Sequence, residues 1–271
     1  MSGSVVRKIG LLAAAVFVAV PAVSSAETIC TIAEDVESGK TLVTQGDCDR
    51  TLSPASTFKL ALSLMGYDAH ILTDESTPVW PYVKGYSDWS ATWEDKATPR
   101  LWMEKSIVWY SQRLTEALGA AKFQAYVRQF NYGNRDVSGN PGKHDGLTHA
   151  WLGSSLKISP VEQLVFLRKL VRQELDVSEQ AYDMTAKIAD YGVQQSGWHI
   201  FGKTSAMPAS KAGARRDRNK MYGWFVGWAV KGDRRIVFAR LTGEEQNIPG
   251  SAGRRTRDAL FKDLLSKLDT L

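Results

Sequence analysis

The segment SPASTFKLAL, residues 53–62, sets a hydroxyl and an amine three residues apart, at Ser56 and Lys59. If Ser56 opens a helix, Lys59 lies on the same face one turn further on. A serine hydroxyl is a weak nucleophile until a neighbouring base takes its proton. A lysine is such a base only when neutral, and apolar surroundings favour the neutral form. Leu60, Ala61, Leu62 and Leu64 supply them. The chemistry on offer is acyl transfer, with Ser56 as nucleophile and Lys59 as base. The bare Ser-x-x-Lys pattern is short, and it equally fits a helix cap beside a lysine that snorkels to solvent.

Three later stretches weigh against that second reading. KSIV places Ser106 and Val108 on a helix expected over residues 99–118, NYGN places Tyr132, Gly133 and Asn134 in a loop after a helix, and GKTS places Lys203, Thr204 and Ser205 on a strand. Each is weak alone; their order and the elements that carry them give them weight.

The positioning elements follow from periodicity. TIAEDVESGKTLVTQGD reads as a hairpin over about 29–46 with a Ser38-Gly39 turn, and Pro54 introduces the first helix. Residues 66–98 read as irregular, and from about 99 to 190 the signals are largely helical. Ser159, Pro160 and Glu162 form a capping-box start, and residues 178–190 carry another helix. GWHIFGKTSA, YGWFVGWAVKG and RRIVFARLTG then read as three antiparallel strands, before an amphipathic helix over 254–268. The expected fold is α+β: an antiparallel sheet from both chain ends (about 27–65 and 193–271), flanked by helices, with a helical lobe (about 66–192) inserted in one catalytic domain. A cleft between two such lobes is a natural site.

Taken together, Ser-Thr-Phe-Lys (56–59), Ser-Ile-Val (106–108), Tyr-Gly-Asn (132–134) and Lys-Thr-Ser (203–205) resemble the class D, oxacillinase-type serine β-lactamases. Trp151-Leu152 adds that family's tryptophan-leucine pair, and the resemblance runs along the whole chain after the leader. Class A enzymes instead pair Ser-x-x-Lys with Ser-Asp-Asn and Lys-Thr-Gly. The resemblance implies a serine β-lactamase/penicillin-binding transpeptidase-like fold and hydrolysis of penicillin-type β-lactams through an acyl-enzyme on Ser56. It implies that Lys59, carboxylated on its side-chain nitrogen by carbon dioxide, is the general base. No dissociable cofactor is implied beyond carbon dioxide or bicarbonate. Val108, Trp151 and Leu152 would support the carbamate, Ser106 and Lys203 would relay protons, and the backbone N–H groups of Ser56 and Ala206 would form the oxyanion hole. Tyr132, Asn134, Thr204, Ser205 and Arg257 would contact substrate, with Arg254 the alternative to Arg257. Ser205 departs from the family, which usually has glycine there; its hydroxyl faces the same side of the strand as Lys203. Similar motifs occur in penicillin-sensing receptor domains, which stay acylated, and in cell-wall transpeptidases, which carry Ser-x-Asn in the middle motif.

The rest of the sequence limits compartment and partners. Arg7 and Lys8, the apolar run Leu11–Val20, Pro21 and the small residues Ser24–Ala26 read as a signal peptide (residues 1–26) of an exported, periplasmic protein of a Gram-negative-type bacterium. No later apolar run is long enough to anchor the chain stably in a membrane. Loss of the leader lowers the net charge from +5 to +3, which with no nucleic-acid motif excludes nucleic acid as a partner. The basic cluster Arg215, Arg216, Arg218 and Lys220 reads as a solvated loop. Cys30 and Cys48 are equidistant from the Gly39 turn, so the hairpin sets them opposite each other as a disulfide. His70, His144, His149 and His199 form no metal signature, so no metal is expected. The expected partners are small β-lactam substrates and inhibitors, for a monomer or homodimer.

Overall fold

The computed structural model describes Met1 and residues 26–87, 89, 90, 93, 95–209, 217–244 and 248–271. The leader, apart from Met1 and Ala26, and Arg215 and Arg216 of the basic cluster lie outside them. Arg218 and Lys220 belong to a long strand rather than a loop.

Six antiparallel strands form the sheet, in the order β2-β1-β8-β7-β6-β5. They are β1 (Glu27–Asp35), β2 (Thr41–Gly46), β5 (Asp190–Val193), β6 (His199–Ala209), β7 (Asp217–Lys231) and β8 (Arg234–Glu244). β1 bonds to β8, so both ends of the chain build one sheet, as expected. A small second pair, β3 (Trp80–Pro81) with β4 (Lys96–Ala97), lies in the stretch expected to be irregular. From Met221 to Val230, β7 runs apolar because helices cover both faces of the sheet. On one face Phe225, Ile236 and Phe238 pack against α8 (Ala252–Leu260) and its continuation to Leu268. On the other, Trp224, Val226, Val237 and Ala239 join the main core with α1 (Lys59–Asp68) and α6 (Pro160–Val171). α6 carries the full capping box: Glu162 N–H donates to Ser159 Oγ, and Ser159 N–H to Glu162 Oε2.

The hairpin pairs Cys30 with Gly46, not with Cys48. Gly46 has φ +81°, and a Cβ there would meet the Ile29 carbonyl oxygen at 2.1 Å. Only glycine allows that turn, which brings Cys48 back over the strand to bond with Cys30.

The helix expected over 99–118 is two helices, α2 (Pro99–Lys105) and α3 (Val108–Leu118). Ser106 ends α2 in the left-handed region, φ +57°, and Ile107 is extended. The apolar spacing continues across the break, so periodicity does not reveal it. Among the described residues four further helices follow in the lobe: α4 (Ala120–Gln129), α5 (Gly146–His149), α6 and α7 (Glu179–Ile188). β5 escapes the sequence reading because four residues, one a glycine, show no alternation. Among the described residues no helix is long and apolar enough to cross a membrane.

Candidate active site

Ser56 lies in a tight 3₁₀ turn, Ala55–Phe58, that runs directly into α1 at Lys59. Ala55 holds φ +45°, a strained value for a residue with a Cβ. The turn is fixed from outside. Ala55 N–H donates to the Trp151 carbonyl at 3.1 Å. Ser53 Oγ donates to the same carbonyl at 2.6 Å and accepts from Gly153 N–H at 2.9 Å. The nucleophile turn and the Trp151 loop are thus one hydrogen-bonded unit. Sequence reading missed Ser53, whose signal was only its closeness to Ser56.

Lys59 is completely buried. Burial, and after it the positive charge of Lys203, holds its amine well below the ordinary lysine range. Among the described residues its Nζ has no hydrogen-bond partner, and neither has Trp151 Nε1, although both residues are inaccessible to solvent. Buried polar groups without partners are rare and costly. Lys59 Nζ lies 6.0 Å from the Trp102 ring centroid, and Phe58 packs on Trp151 at 5.7 Å. Val108 and Leu152 belong to the same core. Trp102 is a second residue that sequence reading missed, being indistinguishable there from any core aromatic.

Lys203 extends from β6 and donates to Ser106 Oγ at 2.5 Å and to its neighbour's carbonyl, Thr204 O, at 3.1 Å. The break between α2 and α3 presents Ser106 to Lys203. Burial, then the charges of Arg254 and Arg257, lower the Lys203 pKa from 10.5 to about 7. Both arginines line a cleft of about 450 Å³ with Lys203, Thr204, Lys105 and Tyr191. α8 brings them there because it packs tightly on the sheet: a Cβ at Gly253 would meet the Ser205 carbonyl oxygen at 2.4 Å, and one at Gly223 would meet Thr256 Oγ1 at 2.2 Å. Arg255 is drawn away into a bidentate pair with buried Glu244, whereas Arg257 pairs with Asp258 and covers Tyr191 at 5.6 Å.

Two backbone N–H groups near Lys203 are left without a partner inside their own elements, for separate reasons. Ser56 N–H is in the first turn of a helix, where amides lack intrahelical partners. On β6, Gly202 N–H reaches Ala189 O at 2.9 Å, away from β7. With period two along a strand, the N–H of Ala206 points the same way. β5 pairs with β6 only as far as Phe201, and among the described residues no strand pairs with that edge beyond it.

Tyr132 corrects an expectation. It is fully buried, its hydroxyl accepts from Gln163 Nε2 at 3.3 Å, and its ring packs on Phe58 at 5.0 Å. Its side chain is closed to the cleft that holds Lys203 and Arg257 and does not line it. Asn134 donates to Ser155 O at 2.9 Å and accepts from Lys157 N–H at 3.0 Å. Gly133 has φ +51°, with Lys157 O where a Cβ would stand. The Tyr-Gly-Asn stretch is a brace that ties two loops behind the nucleophile. Among the described residues no group of three or more His, Cys, Asp or Glu could hold a metal.

A serine one turn before a fully buried amine, a lysine–serine hydrogen bond beside it and a cleft lined by Arg254, Arg257 and Lys203 fit a serine acyl-transfer site. Residues 29–266 match the family model of the penicillin-binding protein transpeptidase domain. The chain is 44% identical over 240 residues to β-lactamase OXA-9 of Klebsiella pneumoniae, covering 87% of this chain and 86% of that protein. It is 38% identical to β-lactamase OXA-1 of Escherichia coli, covering 72% and 68%. The crystal structure of the class D β-lactamase OXA-427 superposes with a TM-score of 0.83 at 48% identity, covering 89% of this chain and 98% of that one. The chain belongs to the penicillin-binding transpeptidase-domain family and, within it, to the class D β-lactamases.

Proposed function

We propose that this chain opens the β-lactam ring of penicillin-type antibiotics through an acyl-enzyme on Ser56, with Lys59 carboxylated as general base. The single observation that carries this reading is the pair of orphaned nitrogens, Lys59 Nζ over the core residue Trp102 and Nε1 of the core residue Trp151, both on side chains closed to solvent. A neutral amine attacks carbon dioxide and releases a proton, leaving a carbamate anion. The depressed Lys59 pKa favours the neutral amine. Indole N–H is a donor only, so an anion suits it. Val108 and Leu152 keep the surroundings dry.

The carbamate takes the Ser56 proton as Oγ attacks the ring carbonyl. The carbonyl oxygen gains negative charge toward the N–H groups of Ser56 and Ala206; such a donor is worth roughly 3 kcal/mol in comparable sites. Lys203 and Ser106 hand a proton to the departing ring nitrogen. A Lys203 pKa of about 7 suits a group that gives and regains a proton near neutrality. Arg257 and Arg254 receive the substrate carboxylate. The carbamate then activates the water that releases the product. The enzyme works as one catalytic domain from about residue 27, exported to an oxidising compartment, the periplasm, where the Cys30–Cys48 bond persists.

Purified protein mixed with a chromogenic cephalosporin or oxacillin tests the reading. Many turnovers per chain are expected. A stoichiometric burst that then stops would mark a penicillin sensor or a transpeptidase and would overturn hydrolysis.

A further inference from the structure

Ser205 Oγ accepts a hydrogen bond from Ser56 N–H at 3.1 Å. That amide is one of the two donors assigned above to the substrate carbonyl. We propose that the Ser205 hydroxyl is a specificity-determining plug in the oxyanion site, which the substrate must displace before Ser56 can attack. The inference rests on the acyl-transfer reading of the preceding section and adds a residue-specific brake to it.

Three features hold the plug in place. Ser205 is buried, with only 3% of its surface exposed. Its backbone is pressed from behind by Gly253 of α8, where even a Cβ would collide with the Ser205 carbonyl oxygen, carbonyl carbon and nitrogen. It is also paired across the sheet with Trp224, itself buried. The strand therefore has no room to withdraw, and the hydroxyl leaves the amide only by rotating about its own χ1. A glycine at this position would leave Ser56 N–H open.

The plug acts on one half of the reaction. In acylation the carbonyl oxygen replaces the hydroxyl as acceptor, so breaking the Ser205–Ser56 hydrogen bond opposes substrate entry. In deacylation the acyl carbonyl already occupies the site, and Ser205 has nothing to release. A β-lactam with few other contacts in the cleft suffers most, because it has less binding energy to set against the displacement.

Ser205→Ala and Ser205→Gly separate the hydrogen bond from bulk. Stopped-flow measurement with a chromogenic cephalosporin gives the second-order acylation constant and the deacylation rate separately. A neutral hydrogen bond of ordinary net strength predicts acylation about fivefold faster in both variants. Deacylation is expected to stay within about twofold of wild type on the same scale. Acylation unchanged or slower in Ser205→Ala overturns the plug. So does a gain confined to Ser205→Gly, since that reports side-chain size and not the acceptor. Failure of the underlying reading looks different: the wild-type protein would not be acylated at all, or would acylate once and not release the product, whatever stands at position 205.

Discussion

Lys203 Nζ donates to Ser106 Oγ across 2.5 Å, joining β6 to the break between α2 and α3. The two side chains are 97 residues apart in sequence, and in the proposed proton relay each acts through the other. Lys203→Met and Ser106→Ala are each expected to lower kcat/KM by about 100-fold, the scale of a lost acid–base group. Because they act as one unit, the double variant is expected to lose little more than either single one. Steady-state kinetics on the four proteins checks this; multiplicative losses would show independent roles.

The same lysine makes stability depend on pH. Its pKa falls from 10.5 in the unfolded chain to about 7 in the folded one. Between those values the unfolded chain holds a proton that the folded chain has shed. Stability therefore rises with pH through this window and is lost as pH falls toward 7. Lys59, shifted in the same direction, adds to the trend. Urea denaturation at pH 7 and 9 is expected to differ by about 2 kcal/mol in favour of pH 9. Lys203→Met is expected to flatten the difference, and an unchanged slope in that variant would reject the assignment.

Trp151 is expected to act through its one polar atom. Trp151→Phe keeps an aromatic ring on Phe58 but removes the orphaned Nε1 donor. A hydrogen bond to an anion is worth about 1.5–3 kcal/mol. The bicarbonate concentration that restores half of full activity is thus expected to rise about tenfold or more. Titration of activity with bicarbonate after degassing at acid pH measures it.

Gly133 tests the bracing role of the Tyr-Gly-Asn loop. Gly133→Ala would force a Cβ to within 2.0 Å of Lys157 O at a φ of +51°. A loss of about 3 kcal/mol in stability is expected from the combined clash and strain. Urea denaturation reads it directly, and a change below about 0.5 kcal/mol would show that the loops slide freely.

What the sequence reveals of this molecule follows its periodic and local signals. The hairpin, the capping box on α6, the three long strands and the Ser56–Lys59 spacing are all encoded within a few neighbouring residues. The disulfide was legible because the turn lies midway between its cysteines, although Gly46 rather than strand register closes the gap. Other features depend on long-range contacts. The α2–α3 break at Ser106 lies within unbroken apolar spacing, and it takes Lys203 on a distant strand to give it a purpose. Tyr132 reads as a loop tyrosine open to substrate, yet Gln163 and Phe58 enclose it. Ser205 reads as one hydroxyl on a strand; only the packing of β6 against the 55–58 turn brings it to the Ser56 amide.

A carbamate on Lys59, proposed as the working base, carries its own carbon signal. Carbon-13 NMR of the protein equilibrated with carbon-13 bicarbonate tests it most directly. One carbamate carbon per chain is expected, absent in Lys59→Ala and fading at acid pH in step with turnover. Full turnover by wild-type protein without that signal, or wild-type turnover by Lys59→Ala, would contradict it.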